Sequence, residues 1–442
     1  MDIIKPSTIA GVMELLPEEQ AVFDRIKNTI EETFKDYQFS PIDTPVIEKN
    51  EILFAKGGGE TEKQIFEIAS DSKDMSLRFD LTVPLARYVS EHFSGLNFPF
   101  KRYQIAKVYR GERNQKGRYK EFYQADVDII GHNELSIYND ALLARVMFEA
   151  FKRIDFPNIT FHINNRKLLN GFFKDLAIAD TTEVLRTIDK KDKIGEEKTR
   201  DLLVDLIGEE KTEKTLSFIR GESSNEECLE KLSDLSNGEL FLEGLEELKI
   251  VYQYMKEFGI EDHHIKIDLS ITRGLDYYTS TVYETFIDGY ESIGSVCSGG
   301  RYDNLASNFS KQKLPGVGMS IGLTRLFYQL QELGLVSKMK DKQCDIVVLP
   351  MDESMNFYAI DVLKKLKAKG YRADIYLENG KFKKKMNYAD KIGCKYALII
   401  GEEEMKNKLV SIKNMQTGEQ IKQSIDNLEI GNWFPAYFLL YY

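Results

Sequence analysis

The chain has 442 residues, 42% of them hydrophobic and 30% charged, with a formal net charge of -11. Such a length suggests roughly three domains at ~150 residues each, with real apolar cores. The acidic balance excludes a generally basic coat for nucleic acid but leaves local basic patches open. No apolar run approaches the ~18 residues that span a membrane, and the first residues carry no signal-peptide pattern. The four cysteines, Cys228, Cys297, Cys344 and Cys394, are scattered without CxxC spacing. They predict reduced thiols in a cytoplasmic protein with no zinc site, and none of the five histidines falls in a ligand pattern.

Taken in chain order, Val22, Ile26, Ile30 and Phe34 recur every four residues and predict a helix over Leu16–Tyr37. Two prolines, Pro41 and Pro45, make the following segment Tyr37–Glu48 an extended, edge-like strand. Lys56–Glu60 is a glycine loop. Met75–Pro84 reads as a strand entering a helix over Leu85–Phe93. Asp80 and Thr82 stand at that junction, either as helix caps or as holders of a substrate ammonium group.

Lys101–Gly131 reads as two strands joined by a polar loop with a turn at Lys116-Gly117. Period two puts Arg102, Gln104, Arg110 and Glu112 on one face of the first strand, and Phe122, Gln124, Asp126 and Asp128 on one face of the second. Charged and amide groups among buried-type neighbours suit a binding floor. The basic loop Arg113–Arg118 is either a solvated hairpin tip or a rim for phosphate oxygens.

Residues from about 166 to 262 are rich in Glu, Lys and Leu at helical spacing and predict a helical insertion. Ile265, Ile267, Leu269 and Ile271 then alternate with polar residues as a strand, broken at Arg273-Gly274. Thr279–Phe286 is a further strand. Ser298–Asp303 reads as a glycine turn into a helix, with Cys297 before it as a packing thiol. Gly316–Gly322 is a small-residue strand running into a helix that carries Arg325. After a polar linker at about Gly334–Gln343 the chain reads β-α-β-α-β, a small α/β domain. Its lysines and arginine from Lys364 to Lys385 form a second basic stretch, a solvated helix face or a nucleic-acid surface. The aromatic end, Trp433–Tyr442, suggests docking on the protein body.

Several segments carry a resemblance. Tyr109-Arg110-Gly111-Glu112 with Gly117–Gln124 is similar to motif 2 of class II aminoacyl-tRNA synthetases. The run to Asp126-Val127-Asp128-Ile129-Ile130-Gly131 is similar to its histidyl-tRNA synthetase version. Tyr37–Glu48 resembles motif 1 and Gly318–Leu326 motif 3. Arg273–Tyr278 and Ser298–Asp303 resemble the two histidine-specific motifs, Leu77–Thr82 the substrate-amine segment, and the chain after Cys344 the anticodon-binding domain.

The resemblance implies an α+β catalytic domain on a largely antiparallel sheet over residues 1–335, with the helical insertion at about 166–262, and a C-terminal anticodon-binding-like α/β domain over 343–442. It implies a histidine–tRNA ligase that activates L-histidine with ATP and transfers it to tRNA(His), as a cytoplasmic homodimer. Arg110 and Arg273 would be catalytic, set on the α-phosphate and the carboxylate. Arg325 would reach the γ-phosphate with help from Arg118, and Glu112 the adenine end or Mg2+. Asp80, Thr82 and Gln124 would hold the ammonium and carboxylate. Asp128 and Tyr278 would bracket the imidazole, and Tyr277 would wall the pocket. A non-catalytic regulatory relative of histidine biosynthesis is the alternative. Retention of Arg110, Arg273 and Arg325, and of roughly a hundred residues after Cys344, argues against it. A synthetase for threonine, proline or glycine is opposed by Arg273–Tyr278 and Asp128.

Overall fold

The computed structural model describes residues 3–56, 63–69, 74–111, 116–155, 158–178, 180–222, 224–272, 278–339 and 344–430. The described residues fall into two compact units, one within Met1–Glu14 and Phe23–Val336, the other within Leu15–Val22 and Ser337–Tyr442. The first unit contains strands β1 (Ser40–Pro41), β2 (Ile47–Lys49), β3 (Met75–Leu77), β4 (Phe100–Tyr109), β5 (Glu121–Ile130), β6 (Ile159–Asn165), β7 (Ile265–Ile267), β8 (Thr281–Ile287), β9 (Cys297–Tyr302) and β10 (Gly316–Gly322).

Eight of these strands form one sheet in the order β1-β4-β5-β10-β9-β8-β6-β7. The interior pairings from β4 to β6 are antiparallel. Both edge pairings, β1 with β4 and β6 with β7, are parallel. The sheet is therefore mixed, a correction at its margins to the largely antiparallel expectation. A parallel pair needs a long crossover, and the helices between β6 and β7 supply one. β1 is cut to two residues where Pro41, which has no amide proton, sits at the edge.

Alternation divides the sheet into two faces. Ala125, Val127 and Ile129 of β5 and Val317, Met319 and Ile321 of β10 are buried on one. The helix Pro17–Asp36 serves that face: Phe34 lies 5.8 Å from the Tyr103 ring and Phe23 5.5 Å from the Tyr123 ring. Ile30 and Phe34 are fully buried, each worth about 1.5–3 kcal/mol over exposure. The opposite face carries the polar row and is the floor of the site.

Among the described residues seven α-helices lie between β6 and β7, running from Arg166–Asp175 to Glu239–Glu257. The first and last of them approach closely at two glycines: a Cβ on Gly171 would lie 2.5 Å from the Phe241 amide nitrogen, and one on Gly244 2.2 Å from that of Leu168. Glu247 ties the last helix to the sheet, accepting from Asn165 at 2.9 Å, Ser280 at 2.6 Å and Lys167 at 2.6 Å.

Two element readings change. Ser298–Asp303 is not a turn into a helix; it lies mostly within β9, an interior strand between β8 and β10. Its glycines serve close backbone approach. The helix after β3 starts at Thr82, not after Pro84. Proline is tolerated in a first turn, where its missing donor costs nothing.

The second unit contains β11 (Ile346–Pro350), β12 (Ala373–Ile375), β13 (Tyr396–Ile400), β14 (Leu409–Asn414) and β15 (Gln420–Ser424), in the order β12-β11-β13-β14-β15. The first three are parallel and the last two join antiparallel. The helix Asn356–Ala368 packs with Ile346, Val348 and Leu398, whereas Phe382–Lys391 packs with Val347, Leu349 and Ala397. Neighbouring strand residues point to opposite faces, so these helices cover opposite sides of the sheet. The basic stretch Lys364–Lys385 is thus not one patch. Lys385 is buried and donates to the Pro350 carbonyl at 2.8 Å. Lys365 pairs with Asp426 at 2.7 Å, and Arg372 with Asp345 at 3.4 Å. Lys364 and Lys367 are exposed on one side, Lys383 and Lys384 on the other.

Candidate active site

Register assembles the floor. Arg102 stands opposite Asp128, Gln104 opposite Asp126 and Ala106 opposite Gln124. Across the next pairing Asp128 faces Gly318, Asp126 faces Ser320 and Gln124 faces Gly322. Gly318 in turn faces Gly300, and Gly316 faces Tyr302. Period two puts this whole row on one face, and Cys297 and Arg301 on the other. Arg301 is spent on structure there, forked onto buried Asp140 at 2.6 Å and onto the carbonyls of Leu135 and Ser136.

Three buried carboxylates converge on the floor. Asp128 forms a 2.6 Å ion pair with Arg102 through Oδ2, and its Oδ1 accepts from the Tyr302 hydroxyl at 2.7 Å. Gly318 leaves it room, since a Cβ there would lie 2.0 Å from Oδ1. Asp126 accepts from Ser320 Oγ at 2.5 Å, and Gln124 Nε2 donates to that same Oγ at 2.9 Å. Asp80 uses Oδ1 to accept from the Val83 amide at 3.1 Å. Its Oδ2, equally buried, has no hydrogen-bond partner among the described residues. One Asp80 oxygen therefore serves the start of the helix, as the capping reading expects, and the other is left open. Thr82 is half-buried on the helix's first turn.

Burial raises all three acids. It pushes Asp80 up to about 6 against the pull of the Val83 amide and Arg110. It pushes Asp126 up to about 7 against Arg102, with the Asp128 charge adding to the rise. Asp128 is raised by burial while Arg102 and Tyr302 draw it back. Among the described residues, three carboxylates here stand against the guanidinium groups of Arg102 and Arg110.

Arg110 closes one end of the floor. Its Nε donates to the Phe79 carbonyl at 3.0 Å, Nη2 lies 3.5 Å from Gln124 Oε1, and the guanidinium sits 5.1 Å from the Phe122 ring centre. Tyr278 stands at the other end, its ring against Gly300, where a Cβ would lie 2.8 Å from Cδ1. Burial and the Asp128, Asp126 and Asp80 charges raise its phenol.

Beyond Arg110 lies the rim. The Lys116-Gly117 turn has Gly117 at φ 71°, over the Tyr328 ring, and Arg118 beside it is exposed. Tyr328 belongs to the helix Leu323–Glu332, which also carries Arg325. Arg325 Nη2 donates to the Ile293 carbonyl at 3.1 Å, so it is braced against the turn before β9. Glu112, Arg273 and Tyr277 lie outside the described residues.

The structure thus brings Asp80, Arg110, Gln124 and Asp128 together, with Tyr278 as a wall and Thr82 close by. Sequence reasoning gave no individual role to Arg102, Tyr302 or Ser320. Arg102 was on the correct face by parity, but its partner follows only from register. Among the described residues no three histidine, cysteine or acidic side chains form a metal-binding group.

The floor thus sets buried carboxylates and an amide beside a rim that carries Arg118 and Arg325. A model of the histidyl-tRNA synthetase family matches residues 11–326, and one of an anticodon binding domain matches residues 345–430. The chain is 54% identical over 420 residues to a histidine–tRNA ligase of Finegoldia magna, covering 95% of this chain and 97% of that one. It is 52% identical over 428 residues to one of Clostridium tetani, covering 96% and 97%. The crystal structure of histidyl-tRNA synthetase from Nostoc sp. PCC 7120 superposes with a TM-score of 0.86 at 36% identity, over 96% of this chain and 98% of that one. The chain belongs to the histidyl-tRNA synthetase family.

Proposed function

We propose that the protein is a histidine–tRNA ligase. One carboxylate oxygen of L-histidine attacks the α-phosphorus of ATP in line, a P–O bond forms as the bond to pyrophosphate breaks, and histidyl-adenylate results. A ribose hydroxyl at the 3′ end of tRNA(His) then attacks the acyl carbon and AMP leaves. The observation that carries this reading is the open, buried Oδ2 of Asp80, within electrostatic reach of Asp128 and Arg110, beside a floor on which Arg110 lies 3.5 Å from Gln124.

In this proposal Asp80, Thr82 and Gln124 hold the ammonium and carboxylate, Asp128 and Tyr278 bracket the imidazole, and Tyr277 walls the pocket. A pocket that hydrogen-bonds a polar ring rejects apolar analogues strongly, because its own groups would be left unpaired. Arg110 and Arg273 stabilise the charge that gathers on the α-phosphate, the kind of fixed electrostatic help that enzymes rely on most. Arg325 and Arg118 take the outer phosphates. Mg2+ travels with ATP, with Glu112 as the candidate side-chain contact. Residues 1–335 form the catalytic domain, with 166–262 as its helical insertion, and 343–442 bind the anticodon arm, where unstacked bases are readable. The segment Tyr37–Glu48, with Val46 and Ile47 exposed, forms the homodimer seam. The protein works in the cytoplasm. A regulatory relative would not need a C-terminal domain for the anticodon.

The test is aminoacylation. Purified protein with labelled histidine, ATP and tRNA(His) transfers label to the tRNA. Folded protein that transfers none contradicts the reading.

A further inference from the structure

We propose that Arg102 is a positioning residue for histidine recognition: it fixes the direction and charge of Asp128 so that this carboxylate accepts the imidazole N–H. The inference rests on the histidine reading of the pocket. Arg102 is 0% exposed, on an interior strand, and its Nη2 lies 2.6 Å from Asp128 Oδ2. That contact is an ion pair without hydrogen-bond geometry, and among the described residues Nε, Nη1 and Nη2 all lack a hydrogen-bond partner. A buried guanidinium with donors left over is expensive to keep for stability alone, since such pairs are often no better than apolar packing. Its place in register explains the expense. Facing Asp128 are Arg102 from β4, the Tyr302 hydroxyl from β9, Tyr278 ahead of β8, and the Asp126 and Asp80 carboxylates. Arg102 is the fully buried cation in that set, against three acids. Without it Asp128 takes up a proton, becomes a donor on one oxygen, and no longer matches an N–H. Tyr302 alone orients Oδ1 but supplies no charge.

The test is histidine-dependent ATP–pyrophosphate exchange. Arg102→Gln raises the KM for histidine about tenfold or more while the KM for ATP stays within about twofold. The variant-to-wild-type ratio of histidine KM falls as pH rises from about 6 to about 9, as Asp128 ionises again. Arg102→Lys keeps the charge and recovers most of the affinity. Should Arg102→Gln not fold, the charge-free pair Arg102→Gln with Asp128→Asn carries the test: its histidine KM is raised and the ratio to wild type does not change with pH. An Arg102→Gln variant with the wild-type histidine KM, an equal rise in the KM for ATP, no rescue by Lys, or a charge-free pair with the wild-type histidine KM overturns the role of Arg102. Wild-type protein with no histidine-dependent exchange overturns instead the functional reading beneath it.

Discussion

Gly318→Ala probes the pocket with a single methyl group. The methyl would lie 2.0 Å from Asp128 Oδ1. Comfortable non-bonded separation is about 3.5 Å, so the carboxylate must retreat by more than about 1 Å. It cannot do so freely, being tied to Arg102 at 2.6 Å and to Tyr302 at 2.7 Å. Overpacking of this kind costs about 1–3 kcal/mol, read as a lowered Tm. A misplacement of about 1 Å in a substrate-positioning group is worth about 100-fold in rate. The expected result is therefore a fall of about 100-fold in kcat/KM for histidine in pyrophosphate exchange, with the KM for ATP within about twofold. Gly322→Ala is the control on the same strand: its Cβ would meet only Arg325 Cβ, at 3.7 Å, an ordinary contact. Wild-type kcat/KM for histidine in Gly318→Ala, or equal losses in both variants, would refute the placement of Asp128 in the histidine pocket.

Three further outcomes are expected. Arg110→Ala lowers kcat for exchange by about 10²–10³, or 2.7–4 kcal/mol, by analogy with the loss of an oxyanion donor; a change under about tenfold removes it from the α-phosphate. The unliganded protein loses stability as pH rises from about 4 to about 7. Asp126 and Asp80 sit at about 7 and about 6 in the fold against an ordinary 3.8, so the fold favours their protonated forms and that advantage disappears as they ionise. Asp126→Asn flattens the dependence of Tm on pH, and an unchanged slope contradicts the burial argument. Charge reversal of Lys364 with Lys367, and separately of Lys383 with Lys384, leaves exchange intact. Only one of the two pairs raises the KM for tRNA and flattens its salt dependence, because the helices stand on opposite faces of one sheet; equal losses from both pairs contradict docking on a single face.

Much of this molecule is legible from periodicity. Arg102 and Gln104 on one strand, and Gln124, Asp126 and Asp128 on the next, share a face because strands alternate, and the residues alone say so. The helix through Ile26, Ile30 and Phe34 is legible for the same kind of reason. What periodicity cannot give is register and neighbour. Arg102 becomes informative only when Asp128 is found directly opposite. Tyr302 reaches Asp128 across 174 residues of sequence, and no local pattern signals that. Ser298–Asp303 looked like a turn because paired glycines usually mark one, but with a strand on either side they serve close packing instead. The lysines from Lys364 to Lys385 looked like one patch because sequence proximity hides the crossover that sends successive helices to opposite faces. The sheet's parallel edges were hidden for a related reason: the partners of β1 and β7 are set by long connections rather than by hairpins.

The central claim is that the floor built from Asp80, Gln124 and Asp128 selects histidine. Amino-acid-dependent ATP–pyrophosphate exchange, run with purified protein and each of the common amino acids in turn, tests it most directly. Histidine alone should support exchange, and Asp128→Ala should abolish that preference while the protein stays folded. Exchange driven by another amino acid, or a folded protein with none at all, would contradict the account.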